Sequence, residues 1–200
     1  MKRKFFLLLS IFFIYFNSLI AVTYNSEPKI FIQELIDDAI KTLGDKSLTQ
    51  EEKNEIIKKI AIENVDIEAL GLYTLGKIRK ELDENTINKY QNLFEKYFLK
   101  SLTSRLTDYS SQKFEVTDSD QKSSNYTIVK SKIAESVKSP EIKIDWRVYT
   151  KNPQKPLIRD LIVEGLSLAR TQKEEFSSTK FSLYLLVQSP VAQRNVVRPY

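Results

Sequence analysis

Residues 160–176 read DLIVEGLSLARTQKEEF, and the change of texture inside this stretch decides the fold. Leu161, Ile162 and Val163 are consecutive apolar residues with strand composition. Glu164-Gly165 interrupts them, and Ser167 is suited to open an amphipathic helix reaching Lys180, with Phe176 as its large apolar residue. A strand that breaks at a glycine and restarts as a helix joins two layers of a fold. Gly165 is read here as allowing close backbone approach at that turn.

Upstream of the junction the apolar period is two. Glu141–Thr150 is the clearest strand, with Ile142, Ile144, Trp146 and Val148 on one face and Lys143, Asp145, Arg147 and Tyr149 on the other. The loop KNPQKP (151–156) connects it to Leu157–Val163. Before it lie candidate strands at Lys113–Thr117 and Tyr126–Ser136, separated by a polar turn or loop at Asp118–Asn125. Short polar connections imply an antiparallel meander.

Further upstream the period becomes helical. Glu27–Leu43 carries Phe31, Leu35, Ile36 and Ile40 at helical spacing, with Pro28 in its first turn. Thr49 and Glu52 form a capping box for a helix reaching about Glu63. Val65–Gly76 is a helical connector in which Gly71 and Gly76 permit close contact or end short helices. Asp83 caps the strongest helix, whose apolar side is Ile87, Tyr90, Phe94, Tyr97, Phe98, Leu102, Leu106 and Tyr109. The expected architecture is α+β: N-terminal helices packed on a C-terminal antiparallel β-meander of about four strands, followed by a last helix.

The chain begins with Lys2-Arg3-Lys4, an apolar run from Phe5 to Phe16 and a more polar segment ending at Ala21. That is the layout of a secretory signal peptide, with cleavage expected after Ala21. An uncleaved anchor is the competing reading. Residues 22–187 are expected to form one domain. Phe181–Val187 extends the last helix or forms an edge strand, and 188–200 is expected to be a poorly ordered tail.

Removing the first three basic residues from the total of 31 leaves 28 against 26 acidic ones, a net charge of +2. So small an excess argues against nucleic acid as a partner. With no histidine and no cysteine, Ser-His-Asp and Cys-His pairs and His/Cys zinc sites are excluded. Asp160 and Glu164 could form a carboxylate pair, but solvation or pairing with Arg147 or Arg159 is the stronger reading. Ser167 is a cap rather than a nucleophile, since it has no base partner. No phosphate-binding glycine loop occurs. No catalytic residue, metal site or cofactor is expected.

These pieces, in this order, resemble the MlaC-type phospholipid-binding proteins, the toluene-tolerance auxiliary components of ABC lipid transport systems. The resemblance rests on the signal peptide before helices and sheet, on Val65-Asp66-Ile67 with Leu75-Gly76, and on the aromatic helix with Phe94 and Tyr97. Its fourth support is Asp160–Leu168, similar to the family's D-x-x-x-E-G-x-S-L segment, with Phe176 beyond it. The chain departs from the pattern at Pro156, Arg159 and Gln172-Lys173, where the family often has tryptophan, tyrosine and Tyr-Arg.

Family likeness implies a periplasmic carrier, not an enzyme. It would hold a phospholipid as cargo and pass it between an outer-membrane lipoprotein–porin complex and an inner-membrane ABC transporter with an MCE protein, touching membranes transiently. The expected lining is Tyr73, Leu75, Phe94, Phe98, Ile144, Trp146, Val148, Leu161, Val163, Leu166 and Phe176. A packed core would present the same residues, and only the resemblance turns them into cavity walls. Lys143, Arg147 and Lys155 are candidates for meeting an anionic headgroup, with scattered surface charge as an equal alternative. The other functional class is a secreted α+β interaction adaptor with a solid core and no ligand: a carrier is expected to show a deep apolar pocket and an adaptor none, and copurifying acyl chains are the most informative observation.

Overall fold

A computed structural model describes residues 23–106, 112–135 and 140–178. The signal-peptide segment, Tyr109, the end of the second expected strand at Ser136, and everything after Ser178 lie outside the described residues. Helices α1 (Pro28–Gly44), α2 (Gln50–Asn64), α3 (Ile67–Leu75) and α4 (Glu84–Leu106) precede strands β1 (Phe114–Ser123), β2 (Tyr126–Ile133), β3 (Ile142–Tyr149), β4 (Leu157–Val163) and β5 (Leu166–Ser167). Helix α5 (Leu168–Ser178) follows. The strands form an antiparallel sheet in sequence order, so the expected α+β meander with a last helix is borne out.

Local signals set most boundaries. The Glu27 carboxylate accepts from the Lys29 and Ile30 amides and caps α1. Thr49 and Glu52 make the reciprocal capping box of α2. Asp66 accepts from Ala69 N at α3, and Asp83 from Thr86 N at α4. Gly76, at φ +60°, ends α3 and leads into a 3-10 turn, Gly76–Lys80.

Two sequence expectations change. The polar run from Asp118 belongs to β1, and the turn shrinks to Ser124-Asn125 between the paired Ser123 and Tyr126. β1 is an edge strand exposed along most of its length, so it needs no apolar alternation. Asp118 instead pairs with Lys130 across the ladder. The second change is β5. Glu164 (φ 49°) and Gly165 (φ 80°) form a two-residue hairpin turn, and α5 begins only afterwards. A Cβ on Gly165 would meet nothing within 4 Å, so its positive φ, not close approach, calls for glycine.

The core has two parts. Phe31, Ile32, Leu35 and Ile36 project from one side of α1 onto Val129, Val148 and Ile158 of the sheet. Ala61, Ile67, Leu75, Tyr90, Phe94 and Leu99 form the second part, among α2, α3 and α4. Val65 packs against both. Gly71 lets α3 and α4 approach: a Cβ there would lie 2.2 Å from Gln91 Oε1 and 3.1 Å from Phe94 Cδ1.

A polar tether joins helices to sheet. The register shifts on β4, where Arg147 faces Asp160 and Val148 faces Ile158, leaving Arg159 as the extra residue. Its Nε donates to Asp66 Oδ2 at 2.7 Å and its Nη1 to the Tyr126 hydroxyl at 3.0 Å, with its Cζ 3.4 Å from the Tyr149 ring centre. Asp66 N donates to Ile158 O at 2.9 Å. Asp66→Ala strips the guanidinium of its carboxylate and the α3 N-terminus of its cap. It should lower unfolding free energy by about 2 kcal/mol in urea titrations. A loss below about 0.5 kcal/mol would class the tether with ordinary surface ion pairs.

Candidate functional site

The sheet face toward the helices is built from cross-strand rows. Thr127, Val148 and Ile158 form one; Val129, Trp146 and Leu161 the next. Ser131, Ile144, Val163 and Leu166 form a third. Period-two alternation places these side chains on one side. The rows differ in cover. Val129 and Val148 are fully buried under α1. Ile144 is buried, Trp146, Leu161 and Val163 are half-buried, and Leu166 is 68% exposed. The apolar face therefore runs from a closed core into an open margin at the β4–β5 end.

Two polar groups on this face are internally satisfied. Trp146 Nε1 donates to Ser131 Oγ at 2.8 Å, and Ser131 Oγ donates to Ile144 O at 3.2 Å. The face presents carbon outward and keeps its few dipoles occupied.

The helical cluster carries an aromatic row along α4. Tyr90, Phe94 and Phe98 stack successively, with centroids 6.0 and 6.3 Å apart. Phe176 of α5 meets Phe94 edge-on at 6.4 Å and Tyr97 at 5.8 Å. Burial pushes the Tyr90 phenol above its ordinary pKa, and its hydroxyl sits 2.7 Å from Thr74 Oγ1. Gln172 Nε2 donates to the Tyr97 hydroxyl at 3.1 Å, and Lys173 Nζ stands 4.8 Å from the Tyr73 ring centre. The two residues that depart from the family's Tyr-Arg pattern thus hold α5 against α4 and α3.

The opening stretch supplies the clamp. Asp160, buried, accepts from Ser167 Oγ at 2.6 Å and from Ala169 N at 3.0 Å, with Arg147 Nη1 3.8 Å away. Ser167 Oγ in turn accepts from Arg170 N at 3.1 Å, the cap expected of it. Glu164 accepts from Lys143 N instead, so the two carboxylates serve separate partners and make no acid–base pair.

The expected lining divides accordingly. Leu75, Phe94, Phe98 and Phe176 belong to the helical cluster, and Val148 and Trp146 to the sheet cluster. Ile144 is buried on the same face, Leu161 and Val163 lie on its less covered part, and Leu166 is at its margin. Tyr73 is exposed and sits under Lys173. Periodicity had put Tyr97 on the buried side of α4, yet it is 45% exposed while Leu99 is buried. The buried side of α4 shifts along its length, from Tyr90 and Phe94 to Leu99 and Thr103, a change that a single helical period does not reveal. Asp160 as the clamp was also missed; its spacing to Ser167 across a hairpin was the available signal.

Among the described residues no group of three or more acidic side chains is placed to hold a metal ion. None of their helices is long and apolar enough to cross a membrane. What the arrangement offers is apolar surface: a carbon-rich sheet face whose cover thins toward Leu166, and an aromatic layer on α4 and α5.

Among solved structures, the chain is similar to the phospholipid-binding protein from Ralstonia solanacearum, determined in complex with a phospholipid. The TM-score is 0.67 at 16% identity, covering 82% of this chain and 93% of that one. At that identity the likeness is one of fold. No curated protein matches the chain. The sequence model of the MlaC protein family matches residues 33–180, well over half of the 200 residues. With helices before an antiparallel sheet, as the resemblance required, the chain belongs to the MlaC family.

Proposed function

We propose that this protein is a periplasmic phospholipid carrier that encloses acyl chains against the sheet face bearing Trp146, Leu161 and Val163. The observation that carries the reading is the burial gradient on that face: continuous apolar rows that lose their cover toward Leu166. A solid interaction module would have its helices cover those rows to the end. Family membership and the phospholipid bound by the Ralstonia protein of the same fold support the same reading.

The physical requirement is severe. Each methylene withdrawn from water contributes about 0.8 kcal/mol, so two exposed acyl chains would cost roughly 20 kcal/mol or more. A carrier must hide both chains, and needs apolar area rather than catalytic groups. We further propose that the lipid moves between an outer-membrane lipoprotein–porin complex and an inner-membrane ABC transporter bearing an MCE protein. The N-terminal 21 residues would direct export and be removed.

Leu161→Asp and Val163→Asp test the site. Each puts a carboxylate on the half-buried rows, outside the two buried clusters. Lipid extracted from purified variant should fall by roughly tenfold or more relative to the parent, with far-ultraviolet circular dichroism unchanged. Full lipid content in both folded variants would remove these rows from the site.

A further inference from the structure

Helix α4 turns a second face outward. Lys89, Leu93, Lys96, Tyr97 and Lys100 are all exposed, and steps of three, four and seven put them on one stripe. Lys89 to Lys100 covers about three turns, roughly 16 Å. Leu93 and Tyr97 are each 45% exposed, large apolar bodies set between cations. None of the three lysines has an ion-pair partner among the described residues. Glu95 is exposed but falls on another side of the helix. The stripe is continuous with the candidate lipid site, because Tyr97 packs on Phe176, which packs on Phe94.

We propose that this stripe docks the protein on an anionic phospholipid bilayer. Unpaired lysines complement anionic headgroups, and their long stems let the charge stay in water while leucine and tyrosine settle at the boundary. Tyrosine belongs at that boundary because one end of its ring is apolar and the other wet. The choice of a bilayer over an acidic protein surface rests on the carrier reading: the docked face leads through Tyr97 and Phe176 to the aromatic row.

The test is vesicle co-sedimentation of residues 22–200, which contain every described element. Vesicles of phosphatidylcholine alone are compared with mixed phosphatidylcholine–phosphatidylglycerol vesicles. Binding is expected to the anionic vesicles and to weaken as salt rises. Each lysine contributes about a fivefold gain near such a surface, so the triple variant Lys89→Gln, Lys96→Gln, Lys100→Gln should bind about a hundredfold more weakly. Leu93→Ser, with all three lysines kept, should also weaken binding. Equal binding by the parent and the triple variant overturns the proposal. So does a parent chain that ignores both vesicle types, which would leave the stripe to an acidic protein. Lipid content of the same preparations, read by mass spectrometry, separates the two readings. A lipid-loaded protein that binds no vesicle fails only the docking proposal; a lipid-free protein that binds anionic vesicles fails only the carrier reading.

Discussion

Phe94→Ala should lower folding stability by about 3–5 kcal/mol, the largest loss expected from any single truncation here. Phe94 is buried at the meeting of three helices, stacked between Tyr90 and Phe98 and capped by Phe176. Its Cδ1 lies 3.1 Å from where a Cβ on Gly71 would stand, beside the Gln91 amide that takes that place, so it packs close to the bare backbone of α3. Alanine leaves a void that α3 can close only by moving against α4, and rigid helix backbones relax little. Urea unfolding measures the loss, and Phe94→Leu should recover more than half of it. A loss under about 1 kcal/mol would mean that the site collapses freely, contrary to the packing described.

The second large effect is at Asp160. Asp160→Ala should cost roughly 3 kcal/mol, because it orphans the Ser167 hydroxyl and the Ala169 amide and strips Arg147 of its nearest carboxylate. Asp160→Asn keeps one acceptor for the Ala169 amide, and the Ser167 oxygen can accept from the new amide, so the loss should be near 1 kcal/mol. The contrast matters because a merely charged role would make the two variants equal. Thermal unfolding followed by circular dichroism distinguishes them, and amide exchange should show α5 loosening first in the alanine variant. Equal destabilisation would assign the stability to Coulomb attraction with Arg147 rather than to the cap.

Much of this was legible beforehand because it depends on local rules. The caps at Thr49, Asp83 and Ser167 follow from side-chain reach over three residues. The alternation Ile144, Trp146, Val148 follows from the pleat. What was not legible depends on partners far along the chain. The strand character of Asp118–Ser123 comes from pairing with β2, not from its own polar side chains. The exposure of Tyr97 follows from where α4 changes neighbours. β5 escaped notice because two residues are too few to show a period, although the positive φ at Glu164-Gly165 is what a tight hairpin requires. For the site, composition identified the apolar residues. Their division into a covered and a less covered row became visible only with the fold.

A phospholipid carrier holds its cargo when it is purified. Residues 22–200, exported, purified without detergent and examined by native mass spectrometry, should carry an added mass equal to one phospholipid. Delipidated protein should regain it from vesicles. Protein that is consistently lipid-free after such gentle handling, and that takes up none, would contradict the carrier reading and favour a solid interaction module.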